Sequence, residues 1–312
     1  MSKYLVTGGA GFIGSWVAKV LLEQEHEVVI IDNLTTGYLE NVPKGSVFIN
    51  GDCQDSSIYD DLTDTRFDAI LHIAGQSSGE ISFDDPVYDL STNTESTLHL
   101  INFGLKTGCE RFIYASTMSV YGVKEDRPVN EDEELMPVSF YGVGKVASEH
   151  YLRIYHKMGI RPTSLRLFNV YGPGQNLENL RQGMVSIYLA QMIKNNNIIV
   201  KGSLNRFRDF IYIDDVVNAF LICLRDERTI GKIFNVGTGI KTTVQQLIET
   251  LFEVYGRKVP VEVSGNTQGD IFGICADISL FQKVAGFQPY VELKKGLEKM
   301  LAQALSLERM KK

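Results

Sequence analysis

Tyr4-Leu5-Val6-Thr7-Gly8-Gly9-Ala10-Gly11-Phe12-Ile13-Gly14 is the stretch whose reading decides the fold. A short apolar strand runs straight into a G-x-x-G-x-x-G turn, and a helical apolar pattern follows at Ile13, Trp16, Val17, Val20 and Leu21. Glycine lets a backbone turn tightly and approach a pyrophosphate closely, and the N-terminus of the following helix offers N–H groups that no carbonyl has taken. The next strand, Val28-Val29-Ile30-Ile31, ends in Asp32, eighteen residues after Gly14. A carboxylate there can accept hydrogen bonds from the adenosine ribose and repels a 2′-phosphate, so the pattern predicts a dinucleotide site that takes NAD in preference to NADP.

Working outward, strand-like runs alternate with helical ones. Strands are expected at Lys3–Thr7, Glu27–Ile31, Val47–Asn50, Ala69–Ile73, Arg111–Ser116 and Thr163–Phe168, with helices at Gly11–Gln24, Asn93–Thr107 and Tyr141–Met158. Such alternation predicts an α/β fold, a Rossmann-type doubly wound parallel sheet covered on both faces, with ligands at the carboxyl ends of the strands. After Tyr171-Gly172-Pro173-Gly174 the pattern loosens. Helices near 183–195, 215–225, 243–255, 277–285 and 291–307 mix with short strands near 198–201, 210–213, 232–236 and 259–263. We expect an NAD-binding domain over 1–172 and a smaller, mixed α/β, mainly substrate-binding lobe over 173–312, with elements of the two interleaving.

Composition narrows the classes of function. Of 312 residues, 44% are hydrophobic, enough for a real core, and the net charge of −7 argues against nucleic-acid binding. Cysteines 53, 109, 223 and 275 are far apart and form no C-x-x-C, which reads as a reduced cytoplasmic protein with no disulfide or zinc framework. No signal peptide or apolar run of membrane-spanning length is visible, and five scattered histidines give no metal spacing.

The chemistry starts at Tyr141-Gly142-Val143-Gly144-Lys145. Four residues make about one helical turn, so phenol and ammonium share a face. A nearby ammonium and a positive nicotinamide ring would lower the phenol pKa from about 10 and let Tyr141 take a carbinol proton as hydride leaves. On spacing alone an ordinary amphipathic helix explains the pair; the dinucleotide signature upstream tips the reading to chemistry. The strand Arg111–Ala115 runs into Ser116-Thr117-Met118-Ser119, placing hydroxyls at a strand's carboxyl end, where loop backbone groups can also use them.

At this point the whole chain resembles the extended short-chain dehydrogenase/reductases, in their nucleotide-sugar epimerase/dehydratase branch, close to the UDP-glucose 4-epimerases. The resemblance rests on Thr7–Gly14, Asp32-Asn33-Leu34, Gly51-Asp52, Leu71–Gly75, Asn93, Ser116–Gly122, Tyr141 with Lys145, Arg166–Asn169, Tyr171–Gln175, Arg208-Asp209-Phe210, Asn235–Gly237 and Gly269-Asp270. It implies Tyr141 as catalytic base, Lys145 as its partner and Thr117 as the hydroxyl facing the substrate. It implies cofactor contacts at Gly8, Gly11, Phe12, Ile13, Gly14, Asp32, Asn33, Leu34, Thr36 and Gly37. Asp52 and Cys53 match adenine-binding positions, and Ile73, Ala74, Gly75, Gln76, Asn93, Ala115, Ser116 and Phe168 complete the cofactor set. Asn169 and Arg208 match positions that hold a sugar nucleotide's diphosphate, with Met118 and Lys201 beside them.

Departures from the family pattern shape the expected reaction. Dehydratases of the family carry Asp-Glu directly after the catalytic Thr; Met118 and Ser119 stand there, and neither serves as acid or base. Relatives often place an aromatic residue where Lys201 stands and a second phosphate-binding Arg where Thr267 stands. Lys201 either replaces that charge or is a solvated surface lysine. The expected function is NAD-dependent oxidoreduction at C4 of a nucleotide-diphosphate sugar, as a 4-epimerase working through a 4-keto intermediate. A net C4 dehydrogenase or reductase for surface polysaccharide synthesis, and a non-catalytic NAD-binding regulator, stay open. A homodimer is expected, because Leu98, Leu100, Ile101, Phe103, Tyr151, Ile154 and Tyr155 give the helices at 93–107 and 141–158 more apolar surface than one sheet face needs.

Overall fold

The computed structural model describes residues 1–310. Lys311 and Lys312, the end of the expected C-terminal lobe, lie outside the described residues. The strands are β1 Lys3–Thr7, β2 Glu27–Asp32, β3 Val47–Asn50, β4 Ala69–His72, β5 Arg111–Thr117, β6 Arg161–Leu167, β7 Asn169–Tyr171, β8 Ile198–Val200, β9 Phe207–Arg208, β10 Phe210–Tyr212, β11 Lys232–Val236, β12 Thr242–Thr243 and β13 Val261–Val263. The helices are α1 Phe12–Glu23, α2 Pro86–Leu90, α3 Ser96–Thr107, α4 Phe140–His156, α5 Met184–Lys194, α6 Ile213–Arg225, α7 Val244–Tyr255, α8 Ser279–Ala285 and α9 Leu293–Met310.

Seven parallel strands form one sheet in the order β11-β6-β5-β4-β1-β2-β3. This is the doubly wound α/β sheet that the alternation predicts. Its register pairs Lys3 with Glu27, Tyr4 with Ala69 and Arg111 with Arg161. β1 pairs with β2 on one side and β4 on the other, so the chain reverses its direction of winding there and a crevice opens past the carboxyl ends of β1 and β4. The sheet is apolar on both faces because helices cover both. Val17, Ala18 and Leu21 of α1 pack on one face; Leu100, Ile101 and Phe103 of α3 and Leu152 of α4 pack on the other, all buried. Each Val, Leu, Ile or Phe among them, fully buried, is worth about 1.5–3 kcal/mol.

β11 comes from residue 232 onward, yet it completes this sheet beside β6, at Lys232 opposite Thr163. The remaining short strands make three two-stranded pairs, β7 with β10, β8 with β13 and β9 with β12. β7, β9 and β12 have two or three residues each and left no periodic trace in the sequence.

Three details differ from expectation. α1 starts at Phe12, because Gly11 is extended (φ −80°, ψ 178°) and serves as the N-cap. The helix expected from Asn93 is regular only from Ser96; Ser91–Glu95 form a wide π-helical turn between α2 and α3. The apolar surplus read on α3 is smaller than expected. Leu100, Ile101 and Phe103 are consumed by the subunit's own core with Tyr59, Phe67 and Tyr114, whereas Tyr151 and Ile154 are exposed.

Candidate active site

Thr7 ends β1, and the chain turns at Gly8 with φ +73°, a left-handed conformation that a side chain disfavours. A Cβ at Gly8 would lie 2.7 Å from the Ala74 nitrogen, and one at Gly14 would lie 2.1 Å from the Gly8 carbonyl oxygen. Only glycine packs the first turn of α1 this tightly against the loop. No side chain caps the start of α1, so its N–H groups face the cleft without a protein acceptor. Asp32 is fixed at the end of β2. Its Oδ2 accepts from the Ala10 N–H at 3.0 Å and its Oδ1 from the Leu34 N–H at 2.8 Å, which holds Leu34 at φ +59°.

These groups open on a cavity of about 410 Å³ whose wall includes Gly8, Gly11, Phe12, Ile13, Gly14, Asp32, Asn33, Thr36, Asp52, Cys53, Ile73, Ala74, Gly75 and Gln76. Asp52 is held in place by the Asn33 amide at 2.8 Å and the Gln54 N–H at 3.0 Å. Leu34 and Gly37 belong to the loop after β2 and are outside that wall, Gly37 close against Ala10. Asn93 sits in the π-helical turn beneath it. Its Nδ2 donates to the Gln76 carbonyl at 3.0 Å, while its Oδ1 is buried beside Gly75 without a protein partner. An uncapped helix N-terminus for phosphates, a fixed carboxylate for a ribose and an orphaned buried amide oxygen suit an NAD-sized dinucleotide.

The Tyr–Lys pair lies on the first turns of α4, whose start is capped by the Ser139 hydroxyl accepting from the Gly142 N–H at 3.2 Å. Lys145 Nζ donates to the Ala115 carbonyl at 3.0 Å and rests 4.7 Å from the Tyr114 ring and 5.8 Å from the Tyr141 ring. Burial brings the Lys145 ammonium down to about 8. Tyr141 corrects an expectation. Burial pushes its phenol up to about 12, and the nearby Thr117 hydroxyl pulls the other way. The lysine on the same helical face does not make the phenol acidic by itself, because its ammonium is turned toward the strand carbonyl and the Tyr114 ring.

Behind this pair runs a buried polar network. The Ser116 hydroxyl donates to Glu149 at 2.5 Å, and Glu149 takes two bonds from Arg166 at 3.0 and 2.7 Å. Arg166 donates to the Tyr121 hydroxyl at 3.0 Å, which donates to Asn235 at 2.6 Å. The Ser116 hydroxyl thus points away from the cleft, into the scaffold. Ala115 and Phe168 are buried at the ends of β5 and β6.

A second cavity, about 680 Å³, shares Ser77 and Gln182 with the first. Met118, Asn169, Lys201 and Arg208, all expected on the substrate side, are in its wall; Thr117 is not. Asn169 donates to Met118 Sδ at 3.3 Å. Sequence reasoning missed Arg206 here. Arg206 and Arg208 both pair with Asp270, and both are nearly buried. Burial, then the neighbouring Arg206 charge, brings the Arg208 guanidinium down to about 10.

Hydride transfer needs a nucleotide cradle and a proton-handling pair within reach of each other, and that requirement defines the class of this protein as an NAD-dependent enzyme. The chain belongs to the NAD dependent epimerase/dehydratase family, whose sequence pattern matches residues 4–237. It is 33% identical over 299 residues to a putative UDP-glucose 4-epimerase from Methanocaldococcus jannaschii, covering 95% of this chain and 96% of that one. Its fold is similar to the UDP-glucose 4-epimerase of Thermotoga maritima solved with UDP-glucose, at TM-score 0.94 and 32% identity, covering 98% and 99% of the two chains. It is also similar to the Thermus thermophilus UDP-glucose 4-epimerase solved with NAD, at TM-score 0.89 and 32% identity, covering 96% and 98%. NAD is the cofactor. Among the described residues no helix is long and apolar enough to cross a membrane and no acid, histidine and cysteine cluster could hold a metal; all four cysteines are free and buried.

Proposed function

We propose that the protein is a nucleotide-diphosphate-sugar 4-epimerase. The observation that carries this reading is the state of the acids in the second cavity. Its two carboxylates are each engaged by two cations: Glu80 by Arg181 at 3.4 Å and Lys201 at 3.6 Å, and Asp270 by Arg206 and Arg208. With Met118 and Ser119 following Thr117, no free acid or base in that wall stands ready for elimination of water. What the wall offers is positive charge. Two nearly buried guanidiniums share one carboxylate, so the pair still needs an anion, and a diphosphate fits their fork of donors.

Tyr141 takes the proton of the C4 hydroxyl as that carbon becomes a carbonyl and returns it when the carbinol re-forms. Thr117 donates to the same sugar oxygen. Bound NAD supplies the acceptor and donor of the hydride, and its oxidised ring adds the positive charge that the site's own groups do not present to the phenol. Lys145 fixes the β5 end of the site through Ala115. The 4-keto sugar turns over between the two halves of the reaction, so hydride returns to its other face.

The test is a panel of UDP-, GDP-, CDP- and dTDP-sugars followed by NADH absorbance and product NMR. The expected result is a C4 epimer that keeps its C6 hydroxyl, with no lasting NADH, and loss of about 10²–10⁴-fold in single-turnover rate for Tyr141→Phe with NAD affinity intact. Stoichiometric, lasting NADH would establish a net dehydrogenase instead, and a 4-keto-6-deoxy product would overturn both.

The exposed apolar residues Val87, Leu90, Val143, Tyr151 and Ile154 on α2 and α4 support a homodimer across these helices. A monomer mass by light scattering at micromolar concentration contradicts it.

A further inference from the structure

Asp89 is a buried acid that no step above uses. It lies near the end of α2, 1% exposed. Its Oδ1 accepts from the Gln76 amide at 2.7 Å and from the Asn93 amide at 3.3 Å, and its Oδ2 is buried without a hydrogen-bond partner. The turn of α4 between Tyr141 and Lys145 packs directly on it. A Cβ at Gly144 would sit 3.4 Å from Asn93 Cβ and 3.7 Å from Asp89 Oδ2, and Thr94 donates to the Gly144 carbonyl at 3.1 Å.

Lys145 needs a counter-charge, since an isolated ammonium in a dry site is costly. Among the described residues no carboxylate lies within ion-pair distance of it, and its one hydrogen bond goes to a neutral carbonyl. The groups that face it are few. Tyr114 of β5 and Tyr141 of α4 present rings. His72 of β4 is held neutral, its pKa pushed well down by burial. Glu149 of α4, although paired with Arg166, adds a smaller pull on Lys145 in the same direction as Asp89. The larger pull is that of Asp89, whose own carboxyl is pushed up by burial and whose negative charge raises the proton affinity of Lys145 and of Tyr141 alike.

We propose that Asp89 is a positioning residue of the Tyr141–Lys145 pair: its buried carboxylate is the principal counter-charge of Lys145 and anchors Gln76, in the wall of the cofactor cavity, and Asn93 beside it. It rests on the Tyr–Lys chemistry proposed above, and deepens it. Removing the charge should move both members of the pair to lower pH together. A residue that merely filled space would lower the rate without moving either.

The experiment is a titration of Lys145 by NMR of the full chain carrying ¹³C-labelled lysine, with and without NAD, its signal assigned by its loss in Lys145→Met. In Asp89→Asn the Lys145 midpoint is expected to fall at least tenfold in proton affinity, and Asp89→Glu should restore it. With substrate, both limbs of the pH–rate profile of Asp89→Asn should shift to lower pH. An unmoved Lys145 midpoint in Asp89→Asn overturns the proposal. So does a native Asp89 carboxyl that stays protonated throughout pH 6–8 by its own ¹³C shift, a measurement that decides the matter even if the variant fails to fold. The sugar reading fails separately: a shifted Lys145 with no turnover on any sugar nucleotide keeps the role of Asp89 and removes the epimerase.

Discussion

The two cavities meet at Ser77 and Gln182 but are built from different materials. The cofactor side is shaped mainly by backbone, with the Asp32 carboxylate fixed at its edge. Its free N–H groups are those at the uncapped start of α1, and its shape comes from glycines that admit no Cβ. The second cavity, the sugar side of the proposed reaction, is made of charged side chains that arrive from five places along the chain: Glu80, Arg181, Lys201, Arg206 with Arg208, and Asp270. A backbone site is unforgiving of shape and indifferent to most side chains. A side-chain site tolerates changes of shape and depends on which charges are balanced.

The sharpest way to break that contrast is Gly14→Ala. The new methyl would meet the Gly8 carbonyl oxygen and the Gly9 Cα, both backbone atoms that cannot swing aside. We expect NAD binding to fall below detection in calorimetry, with a loss of about 1–3 kcal/mol of stability from overpacking. If Gly14→Ala binds NAD like the native protein, the cofactor side is not shaped by its backbone.

Arg206→Met should act on the other side alone. Methionine keeps much of the side-chain volume and removes the charge, and Asp270 retains Arg208. Sugar-nucleotide affinity should fall about ten- to a hundredfold, roughly the 1.5–3 kcal/mol of a charged hydrogen bond. NAD affinity should not change. Equal losses for both ligands would show that the cavities do not separate as described.

The same contrast explains what the sequence revealed. The fold was legible because backbone constraints are written locally: Gly8, Gly11 and Gly14 with the apolar strand before them fix the β1–α1 turn, and Asp32 sits where β2 must end. Tyr141 and Lys145 were legible for the same reason, as one helical turn of spacing. Arg206 was not, because its partner Asp270 lies 64 residues away and nothing local marks the pair. Asp89 was hidden differently. It shares a helical face with Asn93 at i, i+4, yet only packing against Gly144 shows that this face meets the Tyr–Lys turn. The raised phenol of Tyr141 was also beyond reach, because spacing says that two side chains share a face and not which way an ammonium points.

Lys201 gives the finest test within the sugar side. On the family resemblance it stands where an aromatic residue is expected, and its charge was a candidate to replace the arginine absent at Thr267. The structure places it in the cavity wall but 48% exposed, 3.6 Å from Glu80, whereas the Arg206 side chain is 10% exposed and shares a carboxylate with Arg208. Water screens an exposed ion pair, which is worth about 0–1 kcal/mol, so Lys201→Ala should raise the KM for the sugar nucleotide by no more than about fivefold. The buried guanidinium has no such screening and should dominate. Measuring both variants against the same substrate at low and moderate salt separates the two. A Lys201→Ala effect as large as that of Arg206→Met, and insensitive to salt, would transfer the missing arginine's role to Lys201 and leave Arg206 as a brace for Asp270.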